Sequence, residues 1–338
     1  MDEFRFSEDY LEDKYILLEM PSEEFLQGVL SGQIKLEFVA NDKQPISLCS
    51  ENKSFDLLEF DTSNSLLLHD GPLILSNLSS TFEMRDKNPP FLSFRQMLHA
   101  NPITEAEIKS STIQDPISYE ELKDTTLCSR IEFEDMVIRL AACNINGFIK
   151  TPSEELNEMV TDQIIRYSQT LEDWKRVNVN EMLNSFNFPL MNYPFMKIIV
   201  KAVLKSLCIE IQDDIAVLDE NKILIFIARM ILKNSKNGFI TIDDFKNEMK
   251  GQMPQNARLN LEIFKGLYAK VKNGFHYINE EALPLDPEQR FAFLFQVKKE
   301  WEQSDIEPFF AEYISDKILF PDYASRYARF ANGLWMQH

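Results

Sequence analysis

A short apolar stretch that runs into a polar cap and an acidic helix start occurs three times along the chain. The segments are ISYEEL (117–122), VNVNEM (177–182) and ITIDDF (240–245). In each segment a candidate helix N-cap precedes an acid by three positions, the pairs being Ser118–Glu121, Asn178–Glu181 and Thr241–Asp244. The cap oxygen accepts a free backbone N–H, and the acid favours the positive end of the helix. Each segment is therefore predicted to lead from a short strand into a helix.

Each start is followed by a longer amphipathic segment and then by strand-like residues. The amphipathic segments begin at 132 (EFEDMVIRLAAC), 194 (PFMKIIVKAVLKSLC) and 258 (RLNLEIFKGLYAKV). Extra helical segments precede the second and third copies, whereas the first copy has no clear leading helix. The order helix, strand, helix, helix, hairpin is that of a winged helix. We predict three tandem winged-helix domains, at 113–152 (partial), 153–220 and 221–285. An irregular helical domain with accidental similarity is the alternative.

The first 86 residues differ, because they read as five or six short strands with partial alternation and one helix, SEEFLQGVL. They predict a β-rich, barrel-like domain within an α+β fold. The run SNSLLLHDGPLIL is apolar on both faces, which indicates burial by something outside the segment. A partner that completes an exposed sheet edge and coverage by the helical domains both explain it. Residues 87–112 read as a connector.

Residues 286–338 are predicted to form C-terminal helices that pack on the third winged helix. Asp286 and Pro287 begin a helix. Ser304 and Glu307 are expected to form a capping box. The buried stripe of this block is predicted to consist of Phe291, Leu294, Val297 and Trp301.

Composition favours a folded protein without a membrane span. Of 338 residues, 44% are apolar, the first residues lack the features of a signal peptide, and the longest apolar run, ILIFIARMIL, carries Arg229. The cysteines, Cys49, Cys128, Cys143 and Cys208, show no metal-ligand spacing. They are expected to be reduced core thiols, which fits a cytosolic or nuclear protein.

The net charge of −19 is unevenly distributed. Residues 1–220 carry a net charge of −20 and residues 221–338 a net charge of +1. Nucleic-acid binding is therefore expected from the last third. Arg258, Lys265 and Lys272 share one face of the predicted third long helix; an ordinary solvated face interrupted by Glu262 is the other interpretation. The corresponding helix of the first copy is acidic, which favours protein contact.

No catalytic constellation is visible. The nine glycines form no phosphate-binding loop, and His69, His99, His276 and His338 are far apart in the sequence. Asp213 and Asp214 fall where a hairpin turn is predicted. We therefore predict no catalytic residue, no metal site and no cofactor.

Two blocks carry a family resemblance. LCSENKSFDLLEFDTSNSLLL (48–68) and LPLDPEQRFAFLFQVKKEWEQSDIEPFFAEYI (283–314) resemble the N-terminal signature and closing block of the sister chromatid cohesion protein Dcc1 family. Together they cover about a sixth of the chain. The resemblance implies a non-catalytic, nuclear subunit of the alternative clamp loader that acts on PCNA during DNA replication and cohesion establishment.

The resemblance also implies partners. The N-terminal strands are expected to be completed by the small chromosome-transmission-fidelity subunit and by the C-terminal tail of the large ATPase subunit. The winged helices are expected to dock the loader on the catalytic subunit of DNA polymerase epsilon, while the small replication factor C subunits and PCNA are reached indirectly. The residues expected to meet partner chains are Leu36, Phe38, Leu57, Leu66, Leu67, Leu68, Leu73 and Leu75.

The resemblance further implies that the C-terminal winged helices contact DNA, and this contact is expected to be weak and without sequence preference. Arg326-Tyr327-Ala328-Arg329 matches the segment before the family's basic tail, so Arg326 and Arg329 join the candidate DNA contacts. The chain then continues as FANGLWMQH, without another Lys or Arg.

Two other function classes remain open from the sequence. A tandem winged-helix scaffold of a transcription or membrane-sorting complex is one. A free-standing, sequence-specific DNA regulator is the other, and it requires base readout from an exposed basic helix.

Overall fold

The computed structural model describes residues 4–41, 44–314 and 319–338. The chain forms two compact units. The first comprises residues up to Pro90 together with Glu120–Asp135, and the second comprises Phe91–Tyr119 together with Met136–His338.

A six-stranded sheet and one helix occupy the described part of the first unit before Pro90. In chain order these elements are β1 (Arg5–Phe6), β2 (Leu17–Glu19), α1 (Glu23–Leu30), β3 (Glu37–Asn41), β4 (Gln44–Cys49), β5 (Ser54–Asp70) and β6 (Leu73–Lys87). The strand order is β1-β6-β5-β4-β3, with β2 also paired to β6. In the part of the chain that the structure describes, no pairing joins β1 to β3. The predicted β-rich domain is thus present, but within this chain it is an open sheet and not a closed barrel.

One buried cluster of this sheet packs against α1. Leu48, Phe55 and Met84 are buried, and Phe25 of α1 packs its ring edge against Phe55 at 5.3 Å between centroids. The helix begins as its sequence predicts, because the Ser22 hydroxyl accepts the backbone N–H of Phe25. The predicted strands SFDLLEF and SLLLHD are not separate, since both belong to the 17-residue strand β5.

The remaining elements alternate helices with short strands. They are α2 (Phe91–His99), α3 (Glu105–Ser110), β7 (Ile117–Ser118), α4 (Tyr119–Thr125), α5 (Arg130–Arg139), β8 (Cys143–Ile145), β9 (Phe148–Lys150), α6 (Glu154–Ser168), β10 (Arg176–Asn178), α7 (Val179–Ser185), α8 (Pro194–Leu207), β11 (Cys208–Gln212), β12 (Ile215–Leu218), α9 (Glu220–Lys233), β13 (Phe239–Thr241), α10 (Ile242–Gln252), β14 (Tyr268–Val271), β15 (Gly274–Tyr277), α11 (Pro287–Val297), β16 (Glu300–Trp301), α12 (Gln303–Ile306), α13 (Phe320–Ala324), β17 (Ala328–Ala331) and β18 (Leu334–Gln337). Most of α4 and the first part of α5 belong to the first unit.

The same order of a short strand, a helix and a closing hairpin recurs four times. Repeats 1 to 4 begin with the short strands β7, β10, β13 and β16, which follow one another at nearly even spacing along the chain. In each repeat, the first strand leads into a helix and pairs with the last strand of the closing hairpin. The sheets accordingly have the orders β7-β9-β8, β10-β12-β11, β13-β15-β14 and β16-β18-β17.

The fourth repeat contradicts the prediction that residues 286–338 form only helices. Asp286 and Pro287 do start α11, and Phe291, Leu294 and Trp301 are fully buried. Ser304, however, lies inside α12, whose N-cap is Glu302, so the expected capping box with Glu307 is absent. The final residues form the β17–β18 hairpin.

Two further expectations are wrong. Residues 87–112 are not a plain connector, because they contain α2 and α3 and the buried Phe94 and Ile108. The third long helix over 258–271 does not form either. Its place is taken by a 3₁₀ turn, Leu261–Phe264, and by strand β14. Gly266 has a φ of 96°, a left-handed conformation that stops a helix and lets the following residues pair with β15.

One large hydrophobic core runs through repeats 2 and 3, and a second, rich in aromatic rings, fills repeat 4. The predicted N-caps Asn178 and Thr241 are confirmed: their side chains accept the backbone N–H of Glu181 and Asp244, at 3.0 and 3.1 Å. The predicted turn at Asp213 and Asp214 is also confirmed, and both residues have positive φ.

Candidate partner-binding sheet edge

The distal part of β5 has an open hydrogen-bonding edge. Strand β6 pairs with β5 from Ser54 to Asp70. Strand β4, on the other side, pairs with it only over Ser54–Asp56. Among the described residues, no strand covers that side of β5 beyond Asp56. Such an edge offers unpaired backbone N–H and C=O groups to an added strand.

Large apolar side chains on β5 and on strands β3 and β6 of the same sheet are accessible. Phe38 of β3 is 68% exposed, Leu67 of β5 is 47% exposed and Leu73 of β6 is 43% exposed. Leu66, Leu68 and Leu75 are half-buried. These six predicted contact residues therefore leave apolar area accessible in the folded chain.

The other two predicted contact residues have a different role. Leu36 and Leu57 pack against the Leu48, Phe55 and Met84 core, so they serve mainly to hold this unit together. Sequence reasoning missed several exposed residues of the same unit. These are Phe4, Phe6, Leu11, Ile16, Leu30, Ile46 and Phe60. Period-two alternation in β5 could have found Phe60, whereas the exposure of the N-terminal aromatics depends on tertiary structure alone.

A unit with so many exposed large apolar side chains is unusual for a soluble monomer. Apolar surface marks sites of interaction with other polypeptides where it is exposed over a large area. Since the backbone edge and the apolar side chains occur together on β5, the arrangement suits the addition of strands from another chain.

Hydrogen bonds fix the first residue of β5, Ser54, and thereby position the strand that carries the open edge. The Ser54 hydroxyl donates to the Glu132 carboxylate and accepts the backbone N–H of Ser129 at 2.7 Å. Ser129 in turn caps α5, because its side chain accepts the N–H of Glu132 at 3.2 Å. Burial raises the pKa of the nearby Cys49 thiol. This thiol is consequently a packed, protonated group.

The predicted DNA-contact residues do not share a helix face. Arg258 lies in an irregular segment and Lys272 in the turn between β14 and β15; both are exposed. Lys265 lies 2.8 Å from Glu262 and 3.5 Å from Asp305. Arg326 and Arg329 are exposed at the start of the last hairpin. The prediction that Arg258, Lys265 and Lys272 share one helix face is therefore wrong. A role in DNA binding for all five residues stays a prediction.

The hydrogen bond from Lys265 to Glu262 is the main cause of a raised pKa of its ammonium group. Its charge is thus already engaged within the chain, which makes it the least available of the five cations.

The described residues form neither a metal-ligand cluster nor a membrane span. Within 4–41, 44–314 and 319–338, no three His, Cys, Asp or Glu side chains come together as a metal site. No helix among these residues has the length and apolarity needed to cross a membrane.

The fold and the site define a mixed α+β chain with an open, apolar sheet edge followed by four repeats. Comparison with known proteins identifies its family: the model of sister chromatid cohesion protein Dcc1 matches residues 15–310. The chain belongs to the Dcc1 family, which implies a role in sister chromatid cohesion. No catalytic activity is implied by the family name.

Relatives along the whole chain agree with this assignment. The probable sister chromatid cohesion protein DCC1 of Dictyostelium discoideum is 24% identical over 354 residues, covering 96% of this chain and 93% of the relative. Sister chromatid cohesion protein DCC1 of Xenopus tropicalis is 24% identical, covering 96% and 88%. The human protein of that name is 22% identical, covering 85% and 78%.

Proposed function

We propose that this chain is a non-catalytic adaptor subunit of the alternative clamp loader that acts on PCNA in the nucleus, during DNA replication and sister chromatid cohesion. The observation that carries the proposal is the open, apolar edge of β5 in a chain of the Dcc1 family. An adaptor needs surfaces that bind other chains, and this edge is such a surface.

In this proposal, β5 and β3 are extended by strands of the small chromosome-transmission-fidelity subunit and of the large ATPase subunit's C-terminal tail. The joint sheet then closes into the barrel that this chain alone leaves open. Exposed Phe38 and Leu67 become buried in it. Backbone pairing provides affinity, and the apolar side chains provide selectivity.

The four repeats act in the proposal as tandem winged helices. Their order of elements and strand order support this interpretation. They dock the loader on the catalytic subunit of DNA polymerase epsilon and bring weak, sequence-tolerant DNA contacts, while the small replication factor C subunits and PCNA are reached indirectly. The chain contributes positioning and no bond chemistry, so it uses no cofactor.

Affinity purification of the full-length tagged protein from cells tests the proposal. We expect the clamp-loader ATPase and small chromosome-transmission-fidelity subunits as stoichiometric companions of the wild type. The double variant F38S/L67S removes apolar contact area without touching the core, so it should lose these companions and fail to restore cohesion in cells depleted of the endogenous protein.

A matched control changes equally exposed apolar residues elsewhere. Ile209 and Ile211 of β11 are 70% and 43% exposed, so I209S/I211S makes the same chemical change in the second unit. The control should retain the companions. Stable companions from transcription or membrane-sorting machinery in place of clamp-loader chains would instead support the scaffold alternative and refute the adaptor proposal.

A further inference from the structure

A 28-residue stretch in the acidic part of this chain contains no acidic residue. The 54 Asp and Glu residues are spread over 338 positions, yet Met182–Ile209 holds none of them. The same stretch contains three cations, Lys197, Lys201 and Lys205. The average charge of residues 1–220 conceals this local positive segment.

All three lysines lie on α8, the 14-residue helix of repeat 2. They are four residues apart, so they line one side of the helix at steps of ~6 Å. Their side chains are exposed, whereas the opposite side buries Phe195, Ile199 and Val203, among others. The lysines consequently form a straight cationic stripe, which we call the α8 stripe.

The stripe differs from helix faces on which each cation is paired within its own helix. Lys109, Lys123 and Arg166 each form an ion pair with an acid three or four residues earlier on their own helices. Among the described residues, the ammonium groups of the α8 stripe have neither an ion pair nor a hydrogen bond to a side chain. Their charge is therefore available to an external anion.

We propose that the α8 stripe binds the phosphate backbone of duplex DNA. This assignment rests on the DNA contact in the proposed function. It places that contact in repeat 2 and not in the C-terminal residues. Helix α8 precedes the hairpin of its repeat, the place of the groove-facing helix in a helix-turn-helix module. One DNA strand presents a charge every ~3.4 Å along its axis, so each lysine reaches its own phosphate.

The neighbourhood of the stripe favours backbone contact over base readout. Ala202 and Ser206 are small residues beside the lysines, so the helix surface approaches a duplex closely. The tip of the adjoining β11–β12 hairpin carries Asp213 and Asp214, which repel phosphates and keep the hairpin off the DNA. Lysine–phosphate contacts position a protein without reading sequence, so binding is expected to be sequence-tolerant.

The test measures duplex binding by the full-length protein. Fluorescence anisotropy with two 20-base-pair duplexes of unrelated sequence compares the wild type with K197Q/K201Q/K205Q from 0.05 to 0.3 M salt. We expect the variant to bind both duplexes at least about ten-fold more weakly at 0.1 M salt. Its log–log salt slope should be shallower by about 3, or ~0.9 for each lost phosphate contact.

Two further variants separate local from general charge effects. K236Q/K246Q/K250Q removes one cation just before β13 and two from α10 of repeat 3, where Asp243, Asp244 and Glu248 are neighbours, and should change binding little. K197R/K201R/K205R keeps the charge and should bind like the wild type. Matching thermal unfolding curves establish that each variant is folded.

The inference is overturned if the Gln variant of the stripe binds duplex like the wild type, or if the repeat 3 control weakens binding equally. Loss of binding to a poly-glutamate peptide, with DNA binding intact, would identify the stripe as a protein contact and also overturn it. A wild type that binds no duplex at all refutes the DNA part of the proposed function, whereas binding unaffected by the stripe refutes this inference alone.

Discussion

Lys150 and Glu107 form an ion pair inside the second unit, with 3.4 Å between Nζ and Oε1 and each side chain only 2% exposed. The ammonium group also donates to Asn101 at 2.6 Å. The carboxylate accepts the backbone N–H groups of Thr104 and Gln114, both at 2.8 Å. The pair links α3 to β9. Both buried charges have partners, so the link leaves no uncompensated charge in the interior.

Removal of one partner should be costly. We expect Lys150→Met to lower the free energy of unfolding by about 3–5 kcal/mol, because it leaves the Glu107 charge buried and uncompensated. Urea unfolding followed by tryptophan fluorescence measures this. Lys109→Met, which breaks the exposed pair with Glu105 on the same helix, should change stability far less. Equal changes in the free energy of unfolding would show that the buried pair stabilises the fold no more than the exposed pair.

The same pair predicts a pH dependence. Burial alone raises the pKa of Glu107, but hydrogen bonds from Gln114 and Thr104 and the charge of Lys150 outweigh burial, so the pKa lies below its ordinary value of 4.5. A lowered folded-state pKa gives stability that is complete above pH 4.5 and is lost as the pH falls through the folded-state value. Unfolding free energies between pH 6 and 3 should therefore fall less steeply for Glu107→Gln than for the wild type. Parallel curves would exclude Glu107 as a source of acid sensitivity.

Gly274 of β15 should tolerate no side chain. A Cβ atom there would lie 2.2 Å from the Ile240 carbonyl oxygen and 2.7 Å from the Phe239 ring. Gly274→Ala should thus push β13 away from β15 and cost about 1–3 kcal/mol. Gly251 of α10 faces open space, so Gly251→Ala should stabilise by about 0.5–1 kcal/mol. Thermal unfolding of both variants checks the contrast, and a neutral Gly274→Ala would contradict the close strand approach.

Trp301 tests whether repeat 4 is an integral part of the fold. Its ring is fully buried, and its indole N–H donates to the carbonyls of Leu294 and Lys298. Trp301→Ala should cost about 3–5 kcal/mol. Phe330→Ala on the exposed side of β17 should stay within about 0.5 kcal/mol of the wild type. A small effect at Trp301, measured by denaturant unfolding, would mean that repeat 4 contributes little to the stability of the chain.

Local chemistry explains what the sequence predicted correctly. Asn178 and Thr241 cap helices through bonds to residues only three positions away, and such bonds depend little on the rest of the fold. The third long helix was mispredicted because Leu261, Phe264, Tyr268 and Val271 satisfy helical periodicity. Gly266 and the pairing of β14 with β15 override it.

Repeat 4 was missed for the opposite reason. Its first strand has two residues and α12 has four, so each is too short to leave a periodic pattern. The open edge of β5 was anticipated only as one of two explanations for apolar strands, since register depends on long-range pairing. The α8 stripe was visible in the sequence, but averaging the charge over most of the chain obscured it.

Amide hydrogen exchange along β5 tests most directly whether other chains complete this sheet. In the isolated protein, alternate amides between Leu57 and Asp70, those that point away from β6, should exchange rapidly, while the β6-facing amides are protected. In the complex purified with its companions, both sets should be protected. Full protection in the isolated chain, or an edge that exchanges equally fast in the complex, would contradict the account.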